Sequence, residues 1–351
     1  MLVKMSTQLN IPIINASNLV TTNIVNNLNI KLGYDIDTNL KILLNKKVIF
    51  SRGKNEMKPI NGWNNKTAEL EVGSFKTCSK KITIAGIDSS AIHIAETHDG
   101  SIYSARVSVV FSQSNKLYNY FRIGPIIYYI DEENASKISV ETCGSTRLKN
   151  ILLFDRYLAQ RLIREKLERT VTYELAKTLS DSIILIDGCL KSSKLEETNR
   201  RLQSILNIAK NNNNVIIGIS KSTKLGLLNQ LSQILYTSKV IPSFIIIDKL
   251  VSNVFSDLLG HLLLVRFSED GHPHRVDISS PDFEDNLSGI ISNDIFYHGY
   301  PETLKVAHHL SVFTSSQSNS IKSYLVQKAG VLEIPSEDLR HVTLGSMSCI
   351  H

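Results

Sequence analysis

Apolar positions along this chain fall into two kinds of run. Short unbroken stretches rich in β-branched residues, Ile82–Ile87, Ile183–Asp187, Val215–Ile219 and Phe244–Ile247, close on turn-forming residues and predict strands covered on both faces. Ala91–Thr97 and Ser101–Phe111 read as two further strands joined by a hairpin turn at Asp99-Gly100, and Phe121–Ile130 as another extended stretch. The second kind of run is periodic. From Arg147 to Leu179, apolar residues at 151, 152, 158, 162, 163, 167, 171 and 175 predict a long helix, and shorter helices follow over about 196–210 and 224–236. Ser17–Leu32 has helix-like spacing as well.

Strands joined by tight turns, followed by alternating helix and strand, predict a mixed sheet rather than a Rossmann order. The sequence therefore predicts an α/β protein, a ribonuclease-H-like mixed β-sheet flanked by helices, with an N-terminal extension and C-terminal helices. In that arrangement the strand ending at Ile87 and the strand ending at Asp187 lie side by side and parallel. Three parts follow: residues 1–75 as an extension, 76–330 as the main domain and 331–351 as a loosely ordered tail. The polar segment Ser311–Ser323 reads as an exposed linker or helix start, and Asn211–Asn214 as a surface loop.

At 351 residues and 42% hydrophobic content the chain can build a full core. It has no run near the roughly 18 apolar residues of a membrane span, and Met1–Asn10 lacks the pattern of a signal peptide, so a cytoplasmic protein without membrane contact is expected. The cysteines at 78, 143, 189 and 349 contain no CxxC pair and read as reduced thiols. A net charge of +6 is compatible with a polyanionic partner. Six basic residues between Lys41 and Lys58 surround the strand-like Val48–Phe50, either as a solvated face or as a phosphate-contacting patch. The strips Ile11–Ile14 and Val331–Ile334 read as core packing, with docking as the alternative.

The candidate chemistry lies at the strand ends. Asp88 and Asp187 each follow an apolar strand, and neighbouring parallel strands would bring their carboxylates together to share a hard divalent cation. A third acidic ligand is sought on the helix before the second strand. Rising from Ile183 to Asp187 covers about 13 Å, which about nine helical residues match. Counted back from a helix end near Asp181, this lands near Glu174 and favours it over Glu168. Lys221 leaves the strand Val215–Ile219 at the same sheet edge, where a cation could hold a phosphate. His308 sits seven residues beyond Pro301, about two turns into a helix that the proline starts, close enough to join the oxygen ligands. Arg275, after His272-Pro-His274, is a possible phosphate contact. GxxxxGK[ST], GxGxxG and GxSxG motifs are absent.

At these residues the chain resembles the NurA family of ribonuclease-H-like nucleases. The resemblance rests on Ala85-Gly-Ile-Asp88-Ser-Ser90, Tyr173-Glu174, Ile184-Leu-Ile-Asp187-Gly188, Gly218-Ile-Ser-Lys221-Ser-Thr223, and Tyr300-Pro301 with Leu304, Ala307 and His308, in family order over residues 80 to about 315. Asp-Ser-Ser at 88 and Asp-Gly-Cys at 187 depart from the usual Asp-Gly-Ser. The resemblance implies a manganese- or magnesium-dependent DNA nuclease with 5′ to 3′ exonuclease and single-strand endonuclease activity. It would be a homodimer with a central DNA channel, docked on the hexameric translocase HerA and acting in double-strand break end resection. Asp88, Glu174, Asp187 and His308 would be the metal ligands, while Tyr300 and Lys221 would position the substrate. The alternatives are a catalytically inactive ribonuclease-H-like module that binds nucleic acid or a partner, and an actin-like kinase, whose second glycine-rich phosphate loop and adenosine-binding segment are not found.

Overall fold

The computed structural model describes residues 47–50, 71–142, 146–191, 198–221, 226–248 and 259–334. The helix-like Ser17–Leu32, the strip Ile11–Ile14, most of the basic stretch around 41–58 and the tail beyond 334 lie outside the described residues. Val48–Phe50 falls in a strand, as its pattern predicts.

The strands are β1 (Lys47–Phe50), β2 (Val72–Ser74), β3 (Thr83–Glu96), β4 (Gly100–Gln113), β5 (Lys116–Asp131), β6 (Ser182–Asp187), β7 (Val215–Ser220), β8 (Ser243–Ile246), β9 (His261–Arg266), β10 (His274–Ile278), β11 (Phe296–Tyr297), β12 (Tyr300–Pro301) and β13 (Leu332–Glu333). The helices are α1 (Glu132–Thr142), α2 (Thr146–Phe154), α3 (Arg156–Thr178), α4 (Thr198–Asn211), α5 (Gly226–Thr237), α6 (Phe283–Asn293), α7 (Glu302–Ser311) and α8 (Ser315–Ala329). All strands but β11 and β12 join one sheet in the order β13-β1-β3-β6-β7-β10-β9-β8-β2, with β4 and β5 adding a meander on the other edge of β3. β3, β6 and β7 run parallel; β7, β10, β9 and β8 alternate in direction. This is the mixed, helix-flanked α/β sheet that the element order predicts.

Alternation explains why the central strands read as unbroken apolar runs. Along β3 and β6, Ala85, Ile87, Ile184 and Ile186 join the core with Leu167, Val171 and Leu175 of α3. Ile84, Ile183 and Leu185 join the opposite core with Leu287 and Ile290 of α6 and Leu304 of α7. Successive side chains of a strand point to opposite faces, so every position of a covered strand must be apolar. A third cluster packs Ile321, Leu325 and Ala329 of α8 over Ile94, Ile102 and Ile127, at the far end of the β3–β5 meander.

Two boundaries differ from the sequence expectation. β3 does not stop at Asp88: it runs on to Glu96, paired with β4 along its length and irregular only between His93 and Ala95. Ser89 and Ser90 favour turns, but the ladder to Val107 and Arg106 holds them extended. The long helical pattern breaks at Asp155, whose side chain caps α3 by accepting from the backbone N–H groups of Tyr157 and Leu158. The segment Ser311–Ser323, read as an exposed linker or helix start, runs from the buried last residue of α7 into α8, where Thr314 and Gln317 form a capping box.

Candidate metal centre

The β3–β6 ladder pairs Ile87 with Ile186, which makes Asp88 and Asp187 the next step on adjacent parallel strands. Both share the parity of Ile84 and Ile183, so both carboxylates face α7. β6 ends at Asp187 while β3 continues, so the two groups meet where the sheet opens. Pro301 is the N-cap of α7, and His308 lies in its last turn, above the pair. Donor atoms of Asp88, Asp187 and His308 all lie within 4.8 Å of one another.

Each carboxylate is held by its neighbours. Asp88, buried, faces His308 Nδ1 with its Oδ2 at 3.0 Å and accepts from Ser311 Oγ at 2.6 Å on the same oxygen. Asp187 accepts from Lys221 Nζ at 3.0 Å on Oδ2 and from the Tyr300 hydroxyl at 3.2 Å on Oδ1. Lys221 Nζ also lies 5.4 Å from the Tyr300 ring centroid. Burial, and then the Asp187 charge, push the Tyr300 phenol well above its ordinary value, so it stays protonated and donates. Two carboxylates at one sheet edge form an oxygen donor set that suits Mn2+ or Mg2+, with the His308 imidazole beside them.

Of the residues singled out from sequence, Asp88, Asp187, His308, Lys221 and Tyr300 come together here. Glu174 does not. It is buried in α3, under the sheet face opposite α7, and neither it nor Glu168 of the same helix is among the clustered donors. Its runner-up, Glu168, is the glutamate beside Asp88: its carboxylate accepts from Ser89 Oγ at 2.9 Å. Loss of water contact raises the Glu168 carboxyl to about 7, against the lowering effect of Arg164 and with a smaller upward push from the Asp88 charge. The reversal has a simple cause. α3 ends at Thr178 with Leu179 as its cap, not at Asp181, which adopts a positive φ of 49° in the following turn. Nine residues back from Thr178 is position 169, next to Glu168.

Arg275, expected at a phosphate, is also elsewhere. It is buried in β10 and gives two hydrogen bonds, of 2.8 and 2.9 Å, to Asp277, which in turn accepts from the Leu190 backbone N–H at 2.9 Å. Its charge is consumed in holding the segment just after Asp187. The sequence reading missed Ser311. Three residues beyond His308, it shares the same helix face, which is the signal that could have found it.

A mixed α/β sheet with this carboxylate and histidine cluster at its open edge defines a candidate divalent-metal centre. The NurA domain profile matches residues 82–313, and the chain belongs to the NurA family. Among solved structures, it resembles the NurA nuclease from Sulfolobus solfataricus at 13% identity, over 74% of this chain and 87% of that one, with a TM-score of 0.48. It also resembles a NurA bound to dAMP and manganese at 11% identity, over 88% and 96% of the two chains, with a TM-score of 0.42. An endonuclease V from Bacillus subtilis follows at 11% identity, over 72% and 86%, with a TM-score of 0.32. No curated protein matches the chain.

Proposed function

We propose that this protein is a divalent-metal-dependent DNA nuclease whose hydrolytic centre is the Asp88, Asp187 and His308 cluster, with Mn2+ or Mg2+ as cofactor. The single observation that carries the reading is the convergence of these donors within 4.8 Å, with Lys221 and Tyr300 hydrogen-bonded to Asp187. A bound divalent ion supplies Lewis acidity toward the phosphodiester and an acidified water. The chain supplies the rest. Asp88 and Asp187 would supply ligand oxygens and His308 would complete the donor set, while a glutamate of α3, Glu168 on Ser89 or Glu174, is the candidate for a further carboxylate. Lys221 and Tyr300 present a cation and a neutral O–H donor where charge develops on the phosphate.

Family membership supports the finer reading. The protein acts as a 5′ to 3′ exonuclease on single- and double-stranded DNA and as a single-strand endonuclease. It works in the cytoplasm as a homodimer with a HerA hexameric translocase, in double-strand break end resection and repair. Residues 76–330 form the nuclease domain, flanked by the extension 1–75 and the tail 331–351.

The test is cleavage of end-labelled single- and double-stranded DNA with manganese, with magnesium and with chelator. Cation-dependent cleavage that chelator abolishes is expected. Asp187→Ala should lose cleavage while still binding DNA. Equal cleavage by this variant and its parent in manganese rejects the proposal.

A further inference from the structure

We propose that Tyr297 is a stacking platform for an unpaired nucleobase adjoining the phosphodiester held at the metal cluster, an inference that rests on the nuclease reading above. β11 and β12 form a hairpin in which Tyr297 lies directly opposite Tyr300. Residues so paired project to the same face, with Cβ atoms about 4.5–5.5 Å apart. Tyr300 is buried with its hydroxyl on Asp187, whereas Tyr297 is 62% exposed. An aromatic ring therefore stands in water one cross-strand step from the site.

The ring is held in place. His298 and Gly299, the two turn residues, have φ values of 54° and 74°, both positive as a type I′ hairpin turn requires. Gly299 packs so closely on Gly271 that a Cβ on either would lie 2.6 Å from the other's Cα. His298 Nδ1 also pairs with Asp270 at 3.1 Å. The His298 ring meets Tyr297 edge-on, with centroids 4.4 Å apart. Lys305 Nζ sits 5.0 Å from the Tyr297 centroid and donates to its carbonyl at 3.3 Å, while paired with Glu302 at 3.0 Å. A ring ordered in advance loses little conformational freedom when a ligand stacks on it.

Charge points to the same occupant. Lys221 stands against Tyr300 and Lys305 against Tyr297, so the two paired rings are flanked by cations, Lys221 on Asp187 and Lys305 on Glu302. Cations beside exposed rings are what single-stranded nucleic acid requires, the cations for backbone phosphates and the rings for base faces. A base inside a duplex has no free face to offer. The subsite thus favours an unpaired nucleotide, with little preference among bases.

The experiment measures binding of the full chain to a short labelled single strand by fluorescence anisotropy, with calcium as the ion so that the strand stays uncut. The same strand carrying one abasic residue, moved stepwise along it, is the second ligand. Tyr297→Ala should bind the intact strand about tenfold more weakly and Tyr297→Phe as tightly as the parent. One abasic position should weaken the parent by a similar factor and leave Tyr297→Ala unchanged. The proposal is overturned if Tyr297→Ala binds like the parent, or if no abasic position separates the two proteins. A parent that neither binds single strands nor cleaves them in manganese overturns the nuclease reading itself.

Discussion

The Asp88 carboxylate shows how few atoms set the geometry of the centre. Its Oδ2 is shared by Ser311 Oγ and His308 Nδ1, from one face of one helix. Beside it, Glu168 couples the centre to pH. Its carboxyl has an ordinary value of 4.5 and is raised to about 7 in the folded protein. Between these values the folded state holds a proton that the unfolded chain has released. The group therefore adds stability below pH 4.5 and loses it as pH rises through about 7. His93 and His274, both lowered to about 4 chiefly by burial, act in the opposite sense over an overlapping window. The total profile mixes these groups, but the difference between parent and Glu168→Gln isolates one of them. In metal-free thermal denaturation, Glu168→Gln should gain stability relative to its parent as pH rises from 4.5 to 7. A difference that stays constant with pH would show that the carboxyl does not change protonation there.

Among the elements, α7 decides whether a centre forms, and Gly86 decides how closely α7 lies on β3. A Cβ at Gly86 would meet the Thr303 backbone carbonyl carbon and Cβ at 2.8 Å, and Thr303 is itself fixed by donating to Asp294 Oδ2 at 2.5 Å. Gly86→Ala must lift the helix that carries His308 and Ser311. A destabilisation of about 1–3 kcal/mol is expected from overpacking, measured by urea unfolding, together with weaker manganese binding. Unchanged binding would show that the helix position is not critical. Much of this layer was legible. The strands at 183–187 and 215–219 and the helix start after Pro301 follow from β-branched runs and one proline. The unbroken course of β3 was not legible, because Ser89-Ser90 favours a turn locally and only pairing with β4 overrides it.

For the molecule as a whole, the centre ties together residues 88, 187 and 308, drawn from distant parts of the chain, so metal binding should report on global folding. An ion that binds only the folded state stabilises it by mass action, by about 2.7 kcal/mol at a hundredfold excess over its Kd. Manganese should therefore raise the Tm of the parent in thermal denaturation and leave that of Asp187→Ala unmoved; an equal rise in both would place the ion elsewhere. The sequence by itself determined the central strands, because a run apolar at every position is stable only when both of its faces are covered. It also placed Asp88 and Asp187 after two apolar strands that the element order makes neighbours, whereas their shared face follows from the β3–β6 register. Only the tertiary structure decided that Glu168 accepts from Ser89, next to Asp88, and that Ser311 donates to the Asp88 carboxylate. Those outcomes depend on where one helix ends and on how chain segments 79 and 223 residues apart are docked, and no local pattern encodes such distances.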